Sequence, residues 1–163
     1  MHDDRLLVKI VDNNKKYNIK ELLLNIFTFK KMGGRINMNK IEFLKKLDKL
    51  NLNKNNYCII ASGVMLMYGL KDECDDVDIR VSKELFDKLL KEYNMQQSDR
   101  YDYVYELDSN IDVNCKNFNR DNIEFVDGYP VESLKLQLDW MIENKREKDK
   151  EKIEKIRKYL NIQ

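Results

Sequence analysis

Apolar and polar residues alternate along three segments of the chain, and this alternation predicts β-strands. The segments are residues 76–81, 101–107 and 111–115. A polar turn at residues 108–110 joins the last two segments, which predicts a hairpin. The apolar run at residues 57–61 predicts a further, buried strand.

Apolar residues at helical spacing predict helices between and after these strands. The expected helices cover residues 39–50, 64–68, 82–93, 131–142 and 148–160. Asn39 and Ser82 are suited to cap the first and third helices, and Gly69 suits a left-handed turn after the second. The first helix is expected to turn four residues to the core: Ile41, Leu44, Leu47 and Leu50. The third helix is expected to turn five residues to the core: Leu85, Phe86, Leu89, Leu90 and Tyr93.

The whole pattern predicts an α+β fold in which helices flank a small sheet. Residues 127–130 are interpreted as a turn. Residues 1–37 are interpreted as an N-terminal appendage, with a candidate strand at 6–11 and a candidate helix at 19–29. Residues 38–163 are expected to form the folded domain, because their elements follow one another without interruption.

The composition is that of a folded protein rather than a disordered or fibrous one. The 163 residues are 42% hydrophobic and 36% charged, with a formal net charge of +1 at pH 7. Near-neutrality argues against a strongly basic nucleic-acid binder, and no extended DNA-binding surface is expected. No apolar run approaches the ~18 residues that span a bilayer, and no secretory signal is recognisable. A cytoplasmic location without membrane contact is therefore expected.

Three cysteines and one histidine limit the chemistry. Cys58, Cys74 and Cys115 are odd in number and lack metal-site spacing, so buried, reduced thiols are expected. His2 lies near the N-terminus, which argues against a zinc site and against a mechanism with a histidine base. Carboxylates, lysines, hydroxyls or a bound ion must then supply any chemistry.

Acidic residues occupy the polar face of two predicted strands. Asp76 and Asp78 lie about 7 Å apart on one face, where they either repel each other or hold a cation. Asp112 has a similar apolar frame on another strand, and the three carboxylates converge if the two strands are neighbours. Such a set suits Mg²⁺. Asp102 and Glu106 are expected simply to face water.

A candidate phosphate-binding turn precedes the acids. The strand at 57–61 runs into Ser62, Gly63 and a helix, which leaves backbone N–H groups available to a phosphate. Thirteen residues separate Ser62 from Asp76. This layout resembles the DNA polymerase beta-like nucleotidyltransferase superfamily, and in particular its small bacterial members, the minimal nucleotidyltransferases of toxin–antitoxin type.

The C-terminal part agrees with this resemblance. Residues 129–134 and 144–149 are similar to the closing element of those proteins, so the resemblance covers about residues 39–160. It implies a mixed nucleotidyltransferase-type sheet with C-terminal helices. It also implies an enzyme that moves a nucleoside monophosphate from a nucleoside triphosphate (NTP) to a hydroxyl acceptor. Whether that acceptor is a protein, an RNA or a small molecule is left open.

The resemblance also implies roles for individual residues. Asp76, Asp78 and Asp112 are implied to be catalytic and to bind Mg²⁺, as two ions. Ser62 and Gly63 are implied to hold the phosphates of the nucleotide, such as ATP.

The remaining polar and aromatic residues of interest are expected to be structural. Arg80 is expected to form a salt bridge with Asp76 or Asp78. A solvated helix end is expected for three residues that could otherwise contact an acceptor: Lys145, Arg146 and Lys148. Four aromatic residues are expected in the core: Tyr101, Tyr103, Tyr105 and Trp140.

One departure from the family pattern leaves other interpretations open. A glycine of the phosphate-binding pair is replaced, by Ala61 or by Ser62 depending on the alignment, and a side chain there crowds the triphosphate. The alternative is a catalytically weak or inactive protein of the same fold, acting by contact in a toxin–antitoxin or phage-defence pair. A third interpretation is a generic α+β domain with solvated acids.

A chain shortened to begin at Met38 is expected to be soluble and to melt cooperatively, because the predicted domain is complete without residues 1–37. Thermal unfolding followed by circular dichroism measures this. Aggregation of the shortened chain would instead assign residues 1–37 to the core.

Overall fold

A computed structural model describes residues 37–162 of the chain. The candidate elements at residues 6–11 and 19–29, and all of the predicted appendage except Asn37, lie outside the described residues. The strands are β1 (Met38–Asn39), β2 (Tyr57–Ile59), β3 (Glu73–Cys74), β4 (Val77–Val81), β5 (Gln96–Gln97), β6 (Val104–Asp108), β7 (Ile111–Asn114), β8 (Ile123–Val126) and β9 (Tyr129–Glu132). The helices are α1 (Lys40–Asp48), α2 (Ser62–Met67), α3 (Lys83–Glu92), α4 (Leu134–Asn144) and α5 (Lys150–Leu160).

The predicted α+β fold is confirmed, with one mixed sheet of seven strands at its centre. The order across this sheet is β5-β6-β7-β4-β2-β9-β8, and β1 and β3 form a separate two-stranded ribbon. The pairs β4–β7 and β2–β9 are parallel, and the other pairs are antiparallel. The predicted hairpin of β6 and β7 is therefore present.

The central strand β4 alternates as predicted. Val77, Ile79 and Val81 are fully buried, while the residues between them are half-buried on the other face. This alternation places one face of the sheet against the core and leaves the other face for polar side chains.

Helix α1 begins where predicted but turns a different face to the core. Asn39 accepts a hydrogen bond from the Glu42 N–H, and Glu42 accepts one from the Asn39 N–H, forming a capping box. Ile41 is 65% exposed, whereas Phe43 is fully buried with Leu47. The prediction of Ile41 in the core was wrong, because a three-residue repeat falls short of the helical period and drifts around the helix by about 60° per step.

The next two helices also match their predicted positions. In α2 every residue after Ser62 is buried, and Gly69 follows with a φ of 70°. In α3 the Ser82 hydroxyl accepts the Leu85 N–H at 3.2 Å. Two of the five residues predicted to turn to the core are nevertheless exposed: Leu90 at 43%, and Tyr93, which follows the end of α3, at 37%.

The segment that ends the sheet differs from its prediction. Val131 and Glu132 were expected in a helix, but they belong to β9, which pairs with β2 inside the sheet. The turn between β8 and β9 is limited to Asp127 and Gly128, with φ values of 51° and 77°. Two positive φ values are typical of the turn that joins a tight hairpin. Helix α4 therefore begins only at Leu134.

The C-terminal helix α5 is close to its prediction, with Ile156 fully buried. None of the helices within residues 37–162 has the length and apolar character needed to cross a bilayer.

Phe43→Ala is expected to lower the free energy of unfolding by about 3–5 kcal/mol, because it empties a buried aromatic site. Ile41→Ala, two residues away on the exposed face, is expected to change it by less than about 0.5 kcal/mol. Urea unfolding of both variants measures the difference. Similar losses at the two positions would contradict the orientation of α1.

Candidate active site

Three carboxylates converge on the polar face of the sheet. The parallel pairing of β4 with β7 sets Asp78 directly opposite Asp112, and Asp76 immediately precedes β4. One ligand oxygen from each of the three lies within 4.8 Å of the others, and all three residues are half-buried. The structure thus brings together the three acids that the alternation pattern singled out.

Backbone hydrogen bonds fix the strands that carry these acids. The Ile60 N–H donates to the Asp78 carbonyl at 3.0 Å, and the Val77 N–H donates to the Asn110 carbonyl at 2.8 Å. The Asn110 side chain in turn donates to the Asp75 carbonyl at 3.1 Å. The acids are therefore held on a rigid part of the sheet rather than on a free loop.

The donor chemistry of the cluster suits a hard divalent cation. Carboxylate oxygens are the preferred ligands of Mg²⁺. The nearby thiol of Cys74 does not compete, because burial, together with the adjacent acids, raises its pKa to about 12 and outweighs the opposing effect of Lys71. A protonated thiol is a poor metal ligand.

The turn before α2 lies beside the acids, and its residues have different tasks. Ile60, Ala61 and Ser62 line a cavity of about 980 Å³ that Asp76 and Asp78 also line. Ala61 has φ 54° and ψ −129°, a conformation that glycine adopts far more readily than alanine. The backbone therefore takes a glycine-like path although the residue is Ala61.

Gly63 is buried inside α2 and does not line the cavity. A Cβ atom at Gly63 would lie 2.6 Å from Ile59 Cγ2 and 2.9 Å from Phe43 Cζ. The missing side chain is thus required for the close packing of α2 on β2 and α1. This packing sets the position of Ser62 at the cavity wall.

Arg80 forms a salt bridge with Glu132 of β9, and not with Asp76 or Asp78 as expected. Both side chains are largely buried, and both residues line the cavity. Burial raises the pKa of Glu132, and the Arg80 guanidinium offsets part of that rise. The buried Cys58 thiol, close to this pair, has a pKa raised to about 12, chiefly by burial.

Three of the four aromatic residues expected in the core line the cavity instead. Trp140 is 44% exposed, and the Arg146 guanidinium stacks on its ring at 4.4 Å from the centroid. Tyr101 is also exposed and lies 5.6 Å, centroid to centroid, from Tyr103. Strand β6 begins only at Val104, so the first two tyrosines precede it. Tyr105 does pack on Phe86 of α3, as predicted for the core.

Two features of the cavity were not found from the sequence. Glu132 was missed because its segment was interpreted as a helix, although the Asp127-Gly128 pair between apolar residues is a strong hairpin signal. The second is a buried carboxylate, Asp149, that holds the cavity-lining side chains of Arg146 and Lys152. Its segment entered the family resemblance, but nothing in the local pattern indicated burial.

Comparisons with known proteins give limited information about this chain. No protein-family model matches it, and no curated protein matches it. A crystal structure of a protein from Thermotoga maritima, provisionally named a nucleotidyltransferase, is similar to it with 22% identity and a TM-score of 0.47. The match covers 76% of this chain and 96% of that one. At this level of similarity, only the site's own residues bear on its chemistry.

Asp78→Asn and Asp112→Asn are expected to raise the melting temperature of the metal-free protein by a few degrees, because each removes one charge from three crowded carboxylates. Mg²⁺ at a hundredfold excess over its dissociation constant should stabilise the wild type by about 2.7 kcal/mol, and the variants should lose most of this gain. Differential scanning calorimetry in EDTA and in Mg²⁺ measures both effects.

The exposed Asp102 provides the matched control, since Asp102→Asn should change neither quantity. A lower melting temperature of Asp78→Asn in EDTA, without any effect of Mg²⁺ on the wild type, would show that the acids are structural.

Proposed function

We propose that this chain is a metal-dependent nucleotidyltransferase that moves a nucleoside monophosphate from an NTP to a hydroxyl acceptor. The observation that carries the proposal is the convergence of Asp76, Asp78 and Asp112 beside a large cavity. Three half-buried carboxylates this close offer a divalent cation one oxygen ligand each, which is the ligand type that Mg²⁺ prefers.

The three acids have separate tasks in this proposal. Asp76 and Asp78 would hold Mg²⁺ together with the NTP, and Asp112 would complete the set of oxygen ligands. Mg²⁺ bound there, as two ions if the family resemblance holds, would stabilise negative charge on the attacking and leaving oxygens. In this proposal Asp112 also accepts the proton of the acceptor hydroxyl.

The reaction is an in-line displacement at the α-phosphorus. The acceptor oxygen forms the new bond to that phosphorus, the bond to the bridging oxygen breaks, and pyrophosphate leaves. The hydroxyl proton passes to Asp112 and then to water. Most of the work of the protein is positioning and charge stabilisation, as in phosphoryl transfer generally.

The turn before α2 would hold the phosphates. The Ser62 hydroxyl lines the cavity and donates to a phosphate oxygen in this proposal. Gly63 contributes its backbone and, through its close packing, the position of Ser62. The cavity of about 980 Å³ is at the upper end of small-molecule sites, which leaves room for part of an acceptor beside the nucleotide.

A second candidate function is a binding partner of the same fold with little or no catalysis. The observation that favours it is Ala61, whose methyl group stands at a glycine-like backbone position on the cavity wall. Such a protein would act by contact, in a toxin–antitoxin or phage-defence pair. It would hold a nucleotide weakly and show no transfer.

The two candidates are separated by labelling with α-³²P-ATP and Mg²⁺, offering protein, RNA and small-molecule acceptors in parallel. The enzyme proposal expects a label that depends on Mg²⁺. Asp78→Asn should lower the transfer rate by at least about a hundredfold while leaving the circular dichroism spectrum unchanged, because it removes a central metal ligand.

Asp102→Asn should transfer at the wild-type rate. Transfer by Asp78→Asn at the wild-type rate would contradict the metal mechanism. Binding of a partner protein without any label would favour the second candidate.

A further inference from the structure

A fully buried carboxylate lies behind the wall of the cavity. Asp149 follows α4 and occupies the N-cap position of α5, and its side chain has no solvent exposure. Buried carboxylates are costly unless they are paired and hydrogen-bonded. Asp149 therefore needs partners, and the way in which it is partnered shapes the cavity wall.

Each oxygen of Asp149 holds one cation. Arg146 Nε lies 2.5 Å from Oδ2, and Lys152 Nζ lies 3.0 Å from Oδ1. The side chains of Arg146 and Lys152 are 37% and 36% exposed, and both line the cavity that Asp76 and Asp78 line. The three side chains together carry a net charge of +1. Because Asp149 is buried and both cations line the cavity, this surplus positive charge faces the cavity.

The contacts with Asp149 restrict the positions of the Arg146 and Lys152 side chains. Arg146 uses Nε for Asp149, so the two terminal nitrogens of its guanidinium are outside that bond. The guanidinium also lies over the Trp140 ring, which gives it a second contact. Although burial works to raise the pKa of Asp149, the hydrogen bonds from Arg146 and Lys152 lower it overall. The carboxylate is therefore charged at neutral pH, and it keeps both ion pairs there.

Four neighbouring charges form two pairs and leave this surplus in place, while the exposed carboxylate of Glu143 on α4 also lines the cavity. Arg80, a largely buried cation that also lines the cavity, is paired with Glu132. Asp139, a carboxylate on the cavity wall, is paired with Lys135 at 3.0 Å. A polyanion that enters the cavity to reach a metal at the acids would find two fixed cations at Arg146 and Lys152.

We propose that Asp149 is a positioning residue that presents Arg146 and Lys152 to the phosphate chain of the NTP. The inference rests on the proposed function for the identity of the ligand, but the binding step can be measured without catalysis. Pre-set cations bind an anion at a lower entropic cost than free side chains do. Each charge-assisted hydrogen bond of this kind is worth about tenfold or more in affinity.

A purely structural role for Asp149 makes a different prediction. Asp149→Asn removes a negative charge next to the cavity, so simple electrostatics expects tighter binding of an anion. The positioning role expects weaker binding, because Arg146 and Lys152 lose their anchor. The sign of the change in affinity therefore separates the two roles.

The probe is inorganic triphosphate in EDTA, titrated by calorimetry and by the fluorescence of Trp140, the single tryptophan of the chain. Lys152→Met and Asp149→Asn are each expected to weaken triphosphate binding by about tenfold. Lys152→Arg should restore most of the loss. With ATP as substrate, Lys152→Met should raise KM by a similar factor and change kcat by less than about twofold.

Lys155→Met is the matched control, because Lys155 lies on α5 with its own partner Glu151 at 2.8 Å and outside the cavity. It should bind triphosphate as the wild type does. If Asp149→Asn does not fold, the triphosphate affinities of Lys152→Met and Lys152→Arg are compared, and that comparison alone tests the proposal. Unchanged binding by a folded Lys152→Met, or tighter binding by a folded Asp149→Asn, would overturn the proposal.

Asp78→Asn distinguishes the failure of this proposal from the failure of the proposed function. It should lose nucleotide transfer but bind metal-free triphosphate at least as tightly as the wild type, since it removes a negative charge from the cavity. If triphosphate binding changes as expected but no transfer is detected, the binding role of Arg146 and Lys152 is supported and the proposed enzymatic function is contradicted. A wild type that binds no triphosphate would overturn the inference whatever the transfer assay shows.

Discussion

The parallel register between β4 and β7 is the constraint on which the site depends. It sets Asp78 opposite Asp112 and, one step later, Ile79 opposite Val113. A slip of one residue would turn Asp112 toward the core and Val113 toward the cavity, since side chains alternate between the faces of a sheet. The buried residues thus hold the acids together: the hydrophobic effect fixes the register, and the register fixes the distance between charges that repel each other.

This dependence explains why the acidic cluster could be predicted from the sequence. The alternation around Asp78 and Asp112 identifies the face that each carboxylate occupies, and the frames of apolar residues identify both strands as buried. The sequence could not say that the two strands are neighbours or that they run parallel, because pairing depends on residues far apart in the chain. The convergence was therefore a conditional prediction, and the register satisfies the condition.

Other residues in and behind the cavity lining could not be predicted from the local sequence pattern. Glu132 sits in a strand that contains Pro130 and was interpreted as helix, because a four-residue strand leaves little periodicity to read. Trp140 was assigned to the core, whereas its ring lies on the cavity wall under the guanidinium of Arg146, a residue that follows α4. Burial of Asp149 depends likewise on how α4 and α5 pack.

The close packing at Gly63 has a consequence for how damage to this protein should be interpreted. Phe43 belongs to α1, yet its ring lies against the one residue that allows α2 to approach β2, and Ser62 is the next residue along the chain. Core and cavity wall therefore share a contact, and a change in one alters the shape of the other. Substitutions in α1 will therefore reduce activity as well as folding stability. A mutational screen that measures only protein abundance will classify them as stability variants and overlook their effect on the site.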